Sequence, residues 1–589
     1  MVASIHQFGC GAGMIQSNHW ELPLPWWERI EVRGNHPHPN LPPSRGKGIF
    51  VSGHEGGNLS NRDIQAAWKY HNDTKHSRHS VHHNAHYMDW SNQPSPFKVY
   101  PHLEAHRLPT DIPASGLPAL EAIATLPAQG QFIPTCRDLA GLFYFAAGIT
   151  RRGIVPGGQM YFRAAACTGA LYHIELYLVC GDLPDLSAGV YHFGPHDFAL
   201  RQLREGDHRG VLVEATGGEP SVAQAPAIIV TTSVYWRNSW KYQARAYRHA
   251  YWDSGTILAN LLAAAAARRV PVKVVTAFVD APVNRLLDLD DQREAAIQLV
   301  SLGHNSGSPA PSAPEVAPLG LEVAPYSRRE VDYPAMREIH AASSLASPGE
   351  ARELWGDPPP LSGPETQGQL FPLACLAQGE APTDTIEEVI QRRGSSRRFR
   401  RAAITYPQLS TMLERATRGV AADFLGESPH PPFMESPHPP FIKGGLGGIS
   451  LNQLYLIVHD VEGLPAGSYV FHRDRAALEQ LQAGDFRDQA GYLGLQQELP
   501  ADASADVFFL TDLSAVLERY GNRGYRMAQV EASIMGGRLY LGAYALRLGA
   551  TGLTFFDDDV TDFFSPHAQG KSVMFLVALG RPQRRRRQG

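Results

Sequence analysis

Residues 174–249 and 452–527 follow one pattern at a fixed offset of 278 positions. Leu176-Tyr177-Leu178 is answered by Leu454-Tyr455-Leu456, and Ala188-Gly189-Val190-Tyr191 by Ala466-Gly467-Ser468-Tyr469. Gly206-Asp207 meets Gly484-Asp485, and Arg245, Tyr247 and Arg248 meet Arg523, Tyr525 and Arg526. One deleted residue later the pairing resumes, Val279-Asp280 with Phe556-Asp557 and Leu302-Gly303 with Leu579-Gly580. A period this long marks a duplicated domain rather than a solenoid repeat. The chain is therefore expected to be a homodimer written as one polypeptide, an intrachain pseudo-dimer. A site at its internal interface can draw on unequal halves.

The 589 residues leave room for two or three cores. The expected organisation is an unpatterned extension over 1–60, a first domain over 61–303, a Pro-rich linker over 304–382, a second domain over 383–583 and a basic tail over 584–589. Pro334 at a first turn suggests a short helix within the linker. Inside the second domain Glu427-Ser428-Pro429-His430-Pro431-Pro432-Phe433 recurs as Glu435-Ser436-Pro437-His438-Pro439-Pro440-Phe441. Prolines so dense suit neither helix nor central strand, so 426–449 reads as an inserted low-complexity surface loop. A Pro-rich ligand for a partner domain is the other reading. Strand-like apolar runs at 228–230, 272–279, 507–510 and 573–579 are interspersed with small-residue helices over 254–268 and 527–548. That mixture predicts an α+β fold, with a tightly packed central helix pair at the joint between halves.

A net charge of −5 argues against a nucleic-acid surface. Cys10, Cys136, Cys167, Cys180 and Cys375 lack any paired spacing, which fits a reducing compartment and supplies no disulfide or zinc framework. No apolar run reaches the roughly 18 residues of a membrane span, and no signal-peptide pattern opens the chain. The expectation is a cytoplasmic protein without a membrane partner.

Two stretches carry candidate chemistry. In Arg393-Gly394-Ser395-Ser396-Arg397, two guanidinium groups flank a hydroxyl, a set able to surround a phosphate. A solvated basic helix end gives the same pattern. Ala166-Cys167-Thr168-Gly169 is a small-residue turn ahead of a strand, where a flat ligand can approach the main chain; an ordinary tight turn looks alike. His71, His76, His79, His82, His83 and His86 are spaced as some zinc sites are, but with no cysteine and few carboxylates beside them, and no metal is expected.

With the repeat, these stretches resemble the FMN-dependent nitroreductase family, over about 64–303 and 383–582. The nearer likeness is to its SagB-type dehydrogenase branch, whose members oxidise azolines to azoles on ribosomal peptides. Tyr70-His71-Asn72-Asp73-Thr74-Lys75-His76-Ser77, then Asp89-Trp90-Ser91-Asn92-Gln93-Pro94, is one carrier; Gly169-Ala170-Leu171-Tyr172-His173-Ile174-Glu175-Leu176-Tyr177 is another; Arg393, Ser395 and Arg397 complete the set. The resemblance implies FMN across the interface of two nitroreductase-like domains. Arg393, Ser395 and Arg397 would hold its phosphate and ribityl chain, and Ala166, Cys167, Thr168 and Gly169 would lie beside its ring. Thr554 and Arg581 stand where the family places later contacts. Relatives carry Pro-Ser where this chain has Ala166-Cys167, and a thiol is the poorer donor. The first half has Thr135-Cys136-Arg137-Asp138-Leu139 near the helix matching that of Arg393, and the second half lacks the turn, so one composite site per chain is expected. Lys241-Tyr242 resembles the catalytic dyad of azoline dehydrogenases, while Arg519-Tyr520 stands at the same place in the second half. The implied substrate is a peptide-derived or small heterocycle, with a peptide-maturation protein as partner. An NAD(P)H-dependent nitro or quinone reductase and a scaffold that has lost its flavin are the alternatives.

Overall fold

The computed structural model describes residues 60–83, 86–155, 158–361, 367–377, 379–426 and 450–583. The expected extension apart from Ser60, the inserted loop beyond Gly426 and the basic tail lie outside the described residues. The chain divides into two compact units. The described part of the smaller is a pair of strands, over 149–155 and 158–162, in which Thr150 Oγ1 donates to the Phe162 carbonyl at 3.3 Å and the Arg151 guanidinium lies 4.2 Å from the Phe162 ring centre.

The larger unit holds both copies of the repeat. The first copy builds a sheet from Ala105–Arg107 (β1), Ile174–Cys180 (β2), Gly189–Gly194 (β3), Ala199–Glu205 (β4), Ala227–Val234 (β5), Val272–Val275 (β6) and Glu294–Leu302 (β7). Their order is β1-β4-β3-β2-β5-β7-β6. The second copy uses Leu370–Pro372 (β8), Phe399–Arg400 (β9), Asn452–Val458 (β10), Gly467–His472 (β11), Ala477–Ala483 (β12), Ala505–Thr511 (β13), Gly549–Gly552 (β14) and Ser572–Pro582 (β15). It repeats the order as β8-β12-β11-β10-β13-β15, with β14 and β9 both on β15. Even the bulges recur at the sequence offset, at Val190/Tyr191 and Ser468/Tyr469, and at Thr231/Thr232 and Phe509/Leu510. A bulge re-aims the residues that follow it, so its retention in both copies keeps the two sheets congruent.

The helices that matter for the site are Gln65–Asp73 (α1), Ala119–Ala122 (α2), Cys136–Ala147 (α3), Tyr235–Tyr242 (α4), Ala246–Ala267 (α5), Pro334–Ala342 (α6), Ile386–Arg392 (α7), Tyr406–Thr417 (α8), Leu513–Tyr520 (α9) and Arg523–Ala545 (α10). Nearly every residue of α5 and α10 is buried, as befits helices without a polar face at the centre of a fold. Their backbones touch because glycines remove the side chains between them. A Cβ on Gly255 would fall 1.9 Å from Ser533 Oγ, and one on Gly537 would fall 2.5 Å from Ala259 Cβ. The expected central helix pair is this one, and it starts earlier in each copy than composition alone indicates.

Charge locks the two copies reciprocally. Arg245, just before α5, and Arg248 within it reach Asp557 of the second copy at 3.0 and 2.5 Å, while Arg523 and Arg526 of α10 reach Asp280 of the first at 2.8 and 2.9 Å. Each arginine pair also clasps an arm. Arg248 donates to Thr74 Oγ1 just after α1 and to the His71 carbonyl in its last turn; Arg526 donates to Ser343 Oγ just after α6 and to the His340 carbonyl in its last turn. His76 N–H then donates to Asp557 and Leu345 N–H to Asp280. Contacts traded this way are those of an isologous two-fold interface. The second copy's arm therefore lies inside 304–382, the stretch read above as linker, and the helix suggested by Pro334 is α6.

Candidate functional site

Helix α7 opens on a capping box at Thr385 and ends at Arg393, whose extended backbone turns the 393–397 loop toward the first copy. Arg393 Nε donates to the Ala164 carbonyl at 2.8 Å and one Nη to the Arg163 carbonyl at 3.1 Å. Its guanidinium lies 5.8 Å from the Tyr540 ring centre, and Ser395 Oγ lies 3.3 Å from Tyr540 Oη. Arg397 is exposed. The structure thus brings the cationic loop of one copy against the small-residue bend of the other.

The bend is held from beneath by Asp253 of α5, a buried carboxylate. It accepts from Cys167 Sγ at 3.0 Å, from Thr168 N–H at 2.9 Å and from Thr168 Oγ1 at 2.7 Å, and it meets His173 Nε2 at 2.9 Å. Burial, reinforced by this carboxylate, pushes the Cys167 thiol well up, so it stays a neutral donor. Gly169 takes φ +63°, and a Cβ there would fall 2.9 Å from Tyr242 Oη, so glycine meets both a conformational and a spatial demand.

Lys241 and Tyr242 close α4, and the Tyr242 hydroxyl lies against Gly169 of the bend. The Lys241 Nζ sits 5.2 Å from the Tyr242 ring centre. Burial and then the neighbouring Arg397 charge lower Lys241 to about 8, whereas burial and then Asp253 raise Tyr242. Lys241 is thus a cation poised to give up its proton, and Tyr242 a retained hydroxyl. In the second copy Arg519 and Tyr520 turn instead to main-chain carbonyls, Arg519 to Glu353 and Asp357, Tyr520 to Phe424 and Gly356.

Thr554 follows β14, and its hydroxyl meets His76 Nδ1 at 3.1 Å. Its backbone N–H has no acceptor among the described residues. The matching residue of the first copy, Ala277, donates its N–H to Asp423 at 2.8 Å, and Thr276 N–H and Oγ1 serve the same buried carboxylate. Arg581 is directed elsewhere: its Nε donates to the Ala403 carbonyl at 2.7 Å and fastens the 393–403 loop from behind. The helix matching α7 also needs correction. The capping box at Thr135 opens α3 and matches Thr405 at the start of α8, and the Phe132–His304 bridge matches the pairing of β9 with β15. The counterpart of 393–397 is therefore the loop after α2, which carries Leu126, Pro127, Ala128 and Gln129 and no cation. The counterpart of the 166–169 bend, at 444–447, lies outside the described residues.

Sequence reading singled out neither Asp253, Tyr540 and Asp423 nor a role for His76. Among the described residues no group of His, Cys, Asp or Glu is arranged to hold a metal ion, and His71 and His76 face the second copy. No helix of the described residues is long and apolar enough to cross a membrane.

The sequence profile of the nitroreductase family matches residues 163–304 and 390–581, more than half of the chain. The chain belongs to the nitroreductase family. A solved nitroreductase-type protein from Anabaena variabilis is 25% identical and superposes with a TM-score of 0.67 over 88% of this chain and 99% of its own. That near-complete overlap gives the tandem nitroreductase fold a solved likeness. A Methanocaldococcus jannaschii protein named as a nitroreductase is 23% identical over 158 residues, 27% of this chain and 76% of that protein. The E. coli microcin synthetase complex, solved with a truncated precursor bound, contains a chain 18% identical that overlaps 48% of this one, with a TM-score of 0.26. Nitroreductase-family proteins are oxidoreductases that typically bind FMN.

Proposed function

We propose that this nitroreductase-family chain is an FMN-dependent oxidoreductase with one composite flavin site, acting as a SagB-type dehydrogenase on a peptide-derived or small heterocyclic substrate. One observation carries the reading: Arg393 of the second copy is bonded to the main chain just before the 166–169 bend of the first. The residues fit the cofactor. Arg393, Ser395 and Arg397 offer guanidinium and hydroxyl donors to a phosphate. Lys241, lowered by burial and then by the charge of Arg397, stands with that arginine as a second cation, and an anion eases their repulsion. The Thr554 N–H, with no acceptor among the described residues, is a donor left for the ring edge.

FMN, when bound, supplies the two-electron acceptor. The chain's own residues manage the proton. Oxidising an azoline to an azole removes a hydride and, from the neighbouring atom, a proton. Lys241 Nζ, lowered toward the working pH, is the base for that proton. Tyr242, held protonated beside Gly169, orients the substrate as a hydrogen-bond donor. Asp253 keeps the bend in shape beneath both.

The purified protein should be yellow and release about one FMN per chain on denaturation, since the first copy's anchor loop has no cation. Colourless protein that ignores added FMN removes the reading and favours a scaffold. Steady reduction of the bound flavin by NADH or NADPH, with azolines inert, would replace the dehydrogenase with a nitro or quinone reductase.

A further inference from the structure

The two copies provide an internal control for each residue at the site. Both arms are clasped by an arginine pair, and both place one main-chain N–H on the aspartate that the pair binds. At that shared position the side chains differ. The first arm presents His76 to Thr554; the second presents Leu345 at the place matching His76, where Ala277 matches Thr554. The fold therefore does not require polar residues at these two places, and Thr554 of the polar pair follows β14, whose Gly552 N–H donates to the same Tyr540 hydroxyl that Ser395 meets.

We propose that His76 is a positioning residue of the flavin site, fixing the Thr554 hydroxyl and main chain against the edge of the bound cofactor. The inference rests on the FMN reading above. His76 is placed from two directions: its N–H donates to Asp557 at 2.8 Å, and its carbonyl accepts from Asp557 N–H at 3.1 Å. The imidazole is thereby delivered to Thr554 Oγ1. Burial, then the charge of Arg245, drives the ring down to about 3, so it is neutral at any working pH and orients Thr554 without adding charge beside the flavin. A neutral imidazole has one donor and one acceptor nitrogen, so in either tautomer Nδ1 ties Thr554 Oγ1 by one hydrogen bond, donating to it or accepting from it. With the Thr554 side chain tied to His76, and the His76 main chain tied to Asp557, three residues after Thr554, the Thr554 N–H keeps one direction.

The test uses the full chain, with FMN as the probe. Affinity is read from flavin fluorescence quenching, and the visible band and midpoint potential are read on the loaded protein. His76→Leu, which copies the other arm, should weaken FMN binding about three- to tenfold, the loss of one buried neutral hydrogen bond, and should shift the band and the potential. His76→Asn, which retains a polar partner for Thr554, should recover part of both. Thr554→Ala should reproduce His76→Leu, and the double variant should add little, because both remove one contact. Folded His76→Leu protein with wild-type affinity, band and potential overturns the inference. If His76→Leu does not fold, Thr554→Ala decides alone, and unchanged values there overturn it equally. Wild-type protein that takes up no FMN fails the functional reading itself, which is visible before any variant is made.

Discussion

The two copies share strand order, bulges, arms and arginine clasps, yet they differ at each place where a flavin would be handled. On one side lie Arg393, Ser395 and Arg397, Lys241, the Thr554 hydroxyl and an open amide. On the other lie Leu126 to Gln129, Arg519 bonded to carbonyls, Ala277, and an amide capped by Asp423. A homodimer must keep two identical sites, because one sequence writes both. Fusion lifts that restriction. On the second side the donors are spent on the chain itself.

The sharpest break of the comparison is Lys241→Ala against Arg519→Ala. Loss of a general base lowers turnover by about 10³-fold, so Lys241→Ala should all but stop azoline oxidation while FMN stays bound. Arg519→Ala should leave turnover alone. In the wild type, kcat/KM should rise with pH through about 8, because burial and Arg397 disfavour the charged amine and only the neutral form accepts a proton. That limb should vanish with Lys241. Equal losses in the two variants would mean that the copies are catalytically equivalent.

Asp280→Asn and Asp557→Asn compare the clasps. Each leaves two buried arginines without their counter-ion, at a cost of about 3 kcal/mol, read as a matching fall in chemical unfolding midpoints. Asp557→Asn should also reduce FMN content, since Asp557 holds the His76 main chain beside Thr554. A similar FMN loss in Asp280→Asn would show the flavin to be sensitive to the interface as a whole.

The duplication was legible because sheet residues keep both identity and spacing, so Leu176-Tyr177-Leu178 finds Leu454-Tyr455-Leu456 without a gap. The arms were not. His71 and Thr74 match His340 and Ser343 at an offset of 269, because the loops between arm and sheet differ in length, and two short polar matches disappear among gaps. Arg393 and Ser395 were legible as a motif whose residue types suit a phosphate. Asp253 and Asp423 had no such signal. Each is one carboxylate whose partners are chiefly amides and hydroxyls distant in sequence, and only the fold brings them together. The Thr135 capping box misled for the converse reason: helix starts look alike, and the structure matches it to Thr405.

Asp423 gives a smaller, pH-dependent contrast. Burial raises it to about 6 although the Ala277 and Thr276 amides pull the other way. A carboxyl raised on folding binds its proton more tightly in the native state. Its contribution is full below the unfolded value near 4 and is lost as pH climbs through about 6. Relative to Asp423→Asn, the wild type should therefore lose on the order of 2 kcal/mol between pH 4 and pH 6.5, measured by urea unfolding. A flat difference would mean that the amides hold Asp423 ionised throughout.

Cys167→Ser should have the least effect and asks the finest question. Asp253 takes a thiol at 3.0 Å, whereas its counterpart Glu531 takes the Ser450 hydroxyl at 2.6 Å. A hydroxyl is the stronger donor, so Cys167→Ser gives Asp253 a second hydroxyl beside that of Thr168. The turn should tighten by less than about 1 kcal/mol, and FMN should bind slightly more strongly in the same fluorescence titration. The wild-type thiol, held protonated by burial and Asp253, should resist iodoacetamide at pH 8. Weaker FMN binding in Cys167→Ser would mean that the larger, softer sulfur is itself part of the surface the ring lies on, and that this bend has adapted to the thiol and does not merely tolerate it.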